Sequence, residues 1–150
     1  MRRTQYLERF RGNLYISGAY VASDVYERDS CDWETIEFTE QVLRYKLSES
    51  RAQSTGIISN YFSIWNDFSQ KYYHYNNSVD DKMYAVEYPD GLDTSFGSQI
   101  IHSFEKSNLP ATIGYKGKYK TIISSVPFES IRKKEDRENL MKEITNFFKR

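Results

Sequence analysis

The end of the sequence constrains the fold most, because it reads as a strand, a tight turn, a second strand, a loop and a helix. Residues 110–114 and 119–126 carry the strand patterns, and Gly117 in the turn between them is able to adopt positive φ. The second run is β-branched and nearly continuous in apolar character, which is typical of a strand covered on both faces. Pro127 cannot donate to a sheet ladder, so we expect this strand to end before it.

The closing helix is predicted at residues 135–149, where apolar side chains recur at helical spacing. We expect it to pack on the sheet through Leu140, Met141, Ile144 and Phe148.

The beginning of the sequence shows a short apolar helical face at residues 4–10, then Gly12, then a strand at 13–17. A helix, a glycine and a strand in so few residues are typical of an αβ unit, which needs further strands beside it. We therefore expect residues 1–150 to be a single α/β domain that forms the C-terminal portion of a larger fold or protein. Its first strand would have an open edge, which predicts a homodimer or contact with other domains.

The middle of the chain predicts a helix and then several closely spaced strands. The helix begins after Asp32, which can cap it, and runs to about residue 43 or 47. The strands are expected around residues 57–65, 71–75, 83–87 and 99–104. The predicted fold class is α/β, with a mainly parallel sheet, flanking helices and an antiparallel β-hairpin or β insertion.

Composition excludes several classes of function. The formal net charge is +0, which gives no electrostatic case for nucleic acid or an anionic membrane, and no apolar run approaches the length of a membrane span. The single Cys31 excludes an internal disulfide and a zinc cluster built on cysteines. Aromatic residues make up 16% of the chain, so they form either core or a surface on which sugars or bases stack.

Candidate catalytic groups are few. His74 and His102 show no zinc-binding spacing, and no metal or other cofactor is expected. The turn that contains Asp90 carries too few oxygen ligands for calcium, and we expect its carboxylates to be solvated. The strand that ends at Ser17 lacks the G-x-[SC]-x-G frame of a nucleophile elbow, so a structural turn is the simpler interpretation.

Two parts of the sequence resemble known families. Residues 12–20 (GNLYISGAY) resemble the G-G-N-L-hydrophobic-hydrophobic-S-G strand of class I glutamine-amidotransferase-like domains, which have a flavodoxin-like fold. Residues 83–92 and 111–131, with the closing helix, resemble the C-terminal end of large secreted Bacteroidetes proteins described as xanthan-lyase-like. The resemblance implies a secreted or periplasmic, polysaccharide-related context, although the first residues show no signal peptide.

The amidotransferase resemblance also implies that glutamine hydrolysis is absent. Ala19 falls where that family has its cysteine nucleophile, and Pro127 falls where it has its histidine. Glu129 alone matches the family's glutamate. The residues that attack and transfer protons are missing, so the resemblance implies a pseudoenzyme with no catalytic residues.

A ligand would be expected at the carboxyl ends of the first and last strands, if these are parallel neighbours. The candidate ligand-binding residues there are Ser17, Gly18, Tyr20, Ser125 and Glu129. Glu129 has a structural alternative, since it could cap a helix or pair with Arg132.

Two functions follow from these observations. The first is a non-catalytic domain of a bacterial surface or secreted protein, with a supporting or ligand-binding role and carbohydrate as a candidate partner. The alternative is a polysaccharide lyase or hydrolase. A lyase would need a base and a positive group beside a uronate, and Lys71, Tyr73, His74 and Tyr75 form the one cluster with those residue types.

Overall fold

The computed structural model describes residues 7, 9, 11–29, 31–60, 63–79 and 82–150. Eight strands and three α-helices form the described part of the chain. The strands are β1 Asn13–Ser17, β2 Tyr45–Glu49, β3 Ile57–Ser59, β4 Tyr72–His74, β5 Gly91–Thr94, β6 Gln99–Phe104, β7 Pro110–Lys116 and β8 Lys120–Ser124. The helices are α1 Ser23–Tyr26, α2 Trp33–Phe38 and α3 Lys134–Lys149, with a π-helical turn at Thr39–Leu43 and a 3₁₀ turn at Phe128–Ser130.

Six strands form one mixed sheet in the order β1-β8-β7-β6-β3-β4, which curls into a half-barrel. β1 pairs with β8 in parallel, from Asn13 opposite Lys120 to Ser17 opposite Ser124. The neighbours β8–β7, β7–β6, β6–β3 and β3–β4 are all antiparallel. β2 and β5 form a separate antiparallel pair.

The predicted α/β fold with a mainly parallel sheet is therefore wrong, and the protein is mainly β. A parallel neighbour needs a long crossover, whereas β7 and β8 are joined by a tight turn and can pair only antiparallel. β8 is apolar on both faces, but not because helices cover both sides of a parallel sheet. One face of β8 is covered by α3, and the other is covered by the β2–β5 pair and the π-helical turn.

α3 packs on the sheet through Leu140, Ile144 and Phe147, which are buried with Ile122 of β8. Phe148 is partly buried against the same cluster, as the sequence predicted. Met141 was predicted in this stripe, but it is 41% exposed because it lies about 100° around the helix from Leu140, at the border of the buried side. β1 and β8 lie in one sheet, which confirms that part of the sequence prediction.

On the face of the sheet opposite α3, the π-helical turn ends at Arg44, which has a left-handed φ of 69°. The predicted helix thus stops at Leu43, and the chain enters β2 directly. The Arg44 Nε donates to the Tyr119 hydroxyl at 3.0 Å, and its guanidinium lies 4.6 Å from the centre of the Tyr115 ring. These contacts tie the π-helical turn to the β7–β8 hairpin.

Two local predictions differ from the structure. Gly117 does not adopt positive φ; a Cβ atom there would meet the hydroxyl end of the Tyr115 side chain, which would have to move. No strand forms at residues 83–87, and the next strand starts only at Gly91. Part of the strand predicted around 57–65 lies outside the described residues, at positions 61 and 62.

Candidate functional site

The carboxyl ends of β1 and β8 lie together, as the sequence predicted. The Gly18 amide donates to the Ser124 carbonyl at 3.0 Å, which extends the parallel ladder by one residue. The Ser17 Oγ accepts from the Phe128 amide at 3.2 Å. The loop after β8 is therefore anchored to the end of β1.

Ser17 and Glu129 both influence Tyr15, which lies on the same face of β1 as Ser17, whereas Glu129 belongs to the 3₁₀ turn after β8. Burial raises the pKa of Tyr15 to about 12, a hydrogen bond with Ser17 acts to lower it, and the Glu129 charge raises it further. Ser17 and Glu129 thus lie at the same end of the sheet. Glu129 is exposed there, and its role in ligand binding stays a prediction.

The other residues predicted to line the cleft lie in different environments. Ser125 is completely buried, and its Oγ donates to the Ala111 carbonyl at 3.2 Å, so it is part of the core. Tyr20 is 54% exposed, and Gly18 is partly buried, where an added Cβ atom would lie 3.2 Å from Val21 Cγ1. Ser17 and Glu129 lie at the same end of the sheet, whereas the buried Ser125 has no access to a ligand.

Asp90 closes the turn after β1, a role that sequence reasoning missed. Its amide donates to the Ala19 carbonyl at 2.9 Å, and its Oδ2 accepts from the amides of Ala22 and Ser23 at 3.0 and 2.8 Å. The carboxylate is buried, which raises its pKa, so the prediction of a solvated turn is wrong for this residue. Asp90 holds the turn in place, and no nucleophile stands beside it at Ala19.

The predicted lyase cluster does not form. Tyr73 and Tyr75 are completely buried, whereas Lys71 and His74 are exposed. Burial first, and the neighbouring Glu143 carboxylate second, raise the pKa of Tyr73 well above its usual range. A buried tyrosine that holds its proton so strongly cannot act as the base for a polymer in solvent.

A pocket of about 350 Å³, which we call the polar pocket, lies between α3 and the loop that precedes β4. This volume is in the range of small-molecule sites. Its lining consists of carboxylate, amide, hydroxyl and ammonium side chains, from Asp67, Ser69, Gln70, Asn139, Lys142, Glu143 and Asn146.

Gln70 makes hydrogen bonds on several sides of the polar pocket. Its backbone amide donates to Glu143 Oε1 at 3.0 Å, and its side-chain Nε2 donates to Asp136 Oδ1 and to the Tyr72 carbonyl, each at 2.9 Å. Asn139 Nδ2 donates to Gln70 Oε1 at 3.2 Å. The loop, the helix and the edge strand β4 are therefore joined through one side chain.

The two carboxylates of the polar pocket have different environments. Glu143 is 6% exposed; burial raises its pKa, and the Gln70 amide, the nearby Tyr73 hydroxyl and the Ser69 amide act to lower it. Its Oε2 has no partner of hydrogen-bond geometry among the described residues. Asp67 instead forms ion pairs with Lys116 at 3.7 Å and Arg150 at 3.5 Å.

One sequence signal for this pocket was present. Asn139, Lys142, Glu143 and Asn146 recur at i, i+3, i+4 and i+7, so they share one polar side of α3 next to its apolar stripe. Gln70 carried no such signal, because its place beside the helix depends on the path of the whole chain between them.

A second pocket, of about 390 Å³, lies at the other end of β4, and we call it the basic pocket. It is lined by backbone and side chains of Thr55, Gly56, His74, Tyr75, Asn77, Arg132 and Lys133. No carboxylate is among these lining residues.

A metal site or a membrane-spanning helix would place specific requirements on the described residues. Within them, no three histidine, cysteine or carboxylate side chains are grouped to hold a metal ion. None of the helices described has the length and apolar character that a membrane span requires.

No protein-family model matches the sequence, and no curated protein matches it. The fold is similar to part of a solved structure, an exo-β-1,4-mannosidase from Opitutaceae bacterium strain TAV5, with a TM-score of 0.50 and 9% sequence identity. The similarity covers 98% of this chain and 22% of the mannosidase, so the chain spans about a fifth of that enzyme's length. Together with the mixed sheet, this finding overturns the expected membership of the flavodoxin-like amidotransferase group.

Proposed function

We propose that this chain is a non-catalytic carbohydrate-binding domain, and the polar pocket is the observation that carries the proposal. Sugar hydroxyl groups both donate and accept hydrogen bonds. The pocket offers both kinds of partner, since carboxylates accept, ammonium groups donate and carboxamides do both. Such a mixed lining suits a neutral polyhydroxylated ligand better than an apolar one.

Glu143 supplies the strongest physical reason for a ligand. A buried acceptor without a partner loses its hydration energy without compensation, at a cost of about 1–3 kcal/mol. Glu143 Oε2 has no partner of strict hydrogen-bond geometry among the described residues, although the Tyr73 hydroxyl lies near this carboxylate, and the side chain lines the pocket. A sugar hydroxyl that reaches the carboxylate after a small side-chain movement would supply this hydrogen bond.

The likeness to the mannosidase supports the choice of ligand class. That enzyme is named for action on β-1,4-linked mannose, and the part similar to this chain is a minor share of its length. We therefore choose β-1,4-linked manno-oligosaccharides as the first ligands to measure.

Glycoside hydrolysis is the second candidate, because Asp67 and Glu143 line the same pocket. Glycosidases use two carboxyl groups, one of them an acid of raised pKa, and burial raises the pKa of Glu143. Two cations already hold the Asp67 carboxylate, which makes it a poor nucleophile and favours binding over catalysis.

Calorimetric titration with mannohexaose tests the proposal. We expect weak but measurable binding, and a loss of about tenfold in affinity for Asn139→Ala and for Glu143→Gln. Lys134→Ala is the matched control, since Lys134 lies on the same helix but pairs with Glu138 outside the pocket.

Analysis of the sugar after long incubation separates the two functions. Intact mannohexaose is expected, and shorter products that disappear with Asp67→Asn would establish the hydrolase instead. Absence of binding, or equal binding by the parent protein and both pocket variants, would contradict the proposal.

A further inference from the structure

The basic pocket differs from the polar pocket in its charge. Arg132 and Lys133 are exposed cations that line it, and within the described residues neither forms an ion pair with a carboxylate. His74 lines the same pocket. Because the whole chain has a formal net charge of +0, this concentration of positive charge is a local feature.

Arg132 is held in position by the end of the sheet. Its amide donates to the His74 carbonyl at 2.9 Å, next to the antiparallel bridge between Tyr75 and Ile131. Its side chain donates from Nε to the Tyr75 carbonyl and from an Nη atom to Asn76 Oδ1, both at 3.3 Å. A guanidinium has five N–H donors, so it keeps further donors for an anion after these two bonds.

The two pockets are neighbours along β4. Gln70 of the polar pocket bonds the Tyr72 carbonyl, and Arg132 of the basic pocket bonds the His74 carbonyl. Two residues of a strand span about 7 Å. The Tyr72 ring, 40% exposed, lies on the same face of β4 as His74, and an aromatic surface of this kind can pack against the apolar face of a sugar.

We propose that the ligand of this surface is an acidic oligosaccharide, whose carboxylate binds to Arg132 and Lys133 while a neighbouring sugar unit fills the polar pocket. The inference rests on the proposed carbohydrate-binding function and adds to it the charge of the ligand. Arg132 supplies directed donors that match a carboxylate, and Lys133 supplies a second positive charge beside it.

A matched pair of ligands tests this inference: β-1,4-linked tetramannuronate and mannotetraose, which share their linkage and differ in the carboxylates. We expect tetramannuronate to bind the parent protein at least tenfold more tightly at low salt, and this preference to fall as NaCl rises. Arg132→Gln and Lys133→Gln should each reduce the preference severalfold and leave the affinity for mannotetraose unchanged.

The controls separate folding from binding. Lys133→Gln removes a side chain that forms no hydrogen bond with the residues the structure describes, so this variant stays informative if Arg132→Gln destabilises the end of the sheet. Lys134→Gln removes the next positive charge, outside the pocket, and should keep the full preference.

Each other outcome is decisive. Equal affinity for the two tetrasaccharides would overturn this inference and leave the carbohydrate-binding function standing. Binding of neither would overturn both. If inorganic phosphate displaces tetramannuronate at a lower concentration than free mannuronate does, the pocket is a phosphate site and the carboxylate assignment is overturned.

Discussion

His102 is the residue whose burial has the clearest energetic consequence. It is 1% exposed on β6, between the rings of Phe68 and Tyr73 at centroid distances of 5.6 and 5.7 Å. Neither ring nitrogen has a hydrogen-bond partner among the described residues. Burial lowers its pKa from 6.5 to about 3, so the folded protein keeps this side chain neutral. The position of His102 on a strand shows in the sequence, but the lack of hydrogen-bond partners for its ring does not.

This pKa shift predicts a loss of stability in acid. Between the unfolded value near 6.5 and the folded value of about 3, the unfolded chain binds a proton on His102 and the folded chain does not. The contribution of His102 to the free energy of unfolding is therefore fully present above pH 6.5. It falls by about 1.4 kcal/mol per pH unit as the pH decreases through that window.

Chemical unfolding of His102→Leu at pH 7, 6, 5 and 4 measures this contribution. We expect the variant to gain stability relative to the parent at each lower pH, because it has no proton to bind. His74→Leu, an exposed position in the same sheet, should follow the parent profile. Parallel profiles for His102→Leu and the parent would contradict the burial of a neutral imidazole.

α3 is the element on which both the core and the polar pocket depend. Its buried side carries Leu140, and the adjacent exposed position carries Met141. Leu140→Ala is expected to lower the free energy of unfolding by about 2–5 kcal/mol, through lost apolar contact and a residual cavity. Met141→Ala removes a similar volume from the surface and should cost about 1 kcal/mol or less.

Urea unfolding of both variants, fitted with a common slope, checks this difference. A cost for Met141→Ala equal to that for Leu140→Ala would mean that the helix presents a different side to the sheet.

The sequence predicted the elements whose signals are local. The β7–β8 hairpin and α3 follow from alternation, the turn around Gly117, the stop at Pro127 and the helical stripe. The direction of strand pairing is not local, because it depends on how the chain returns between strands, and there the prediction of a mainly parallel sheet failed. The sequence predicted the strand β4, but it did not predict that β4 lies at the edge of the sheet.

The same distinction explains the candidate sites. Ser17 and Glu129 were predicted to meet because each follows a recognisable strand. The burial of Asp90 was missed because its amide partners, Ala22 and Ser23, lie 68 and 67 positions away in the sequence. Gln70 was missed for a similar reason, since Asp136 is 66 positions away.

At the scale of the whole molecule, β1 is an edge strand with β8 as its neighbour in the sheet. Gly12 and Gly18 bond β8 through their backbone groups. Alternate residues of a strand face opposite neighbours. The amides of Asn13, Tyr15 and Ser17 therefore face away from β8, towards an edge that is not paired with another strand among the described residues.

We expect this edge to be covered by a second copy of the chain. Light scattering over a range of concentrations should report a dimer, and the three outward amides should exchange more slowly in the dimer than after dilution. The amides of Leu14 and Ile16, which face β8, serve as internal controls and should not respond. A monomer in which the outward amides are already protected would contradict the prediction.

The pairing of β1 with β8 also determines when this part of the sheet can form during synthesis. Asn13 of β1 is synthesised before its partner Lys120 of β8. At roughly 5–20 residues per second, β1 remains without this ladder partner for several seconds. The β1–β8 pair can form only after β8 has been synthesised, so until then the nascent chain carries an unpaired strand that chaperones and neighbouring nascent chains can reach.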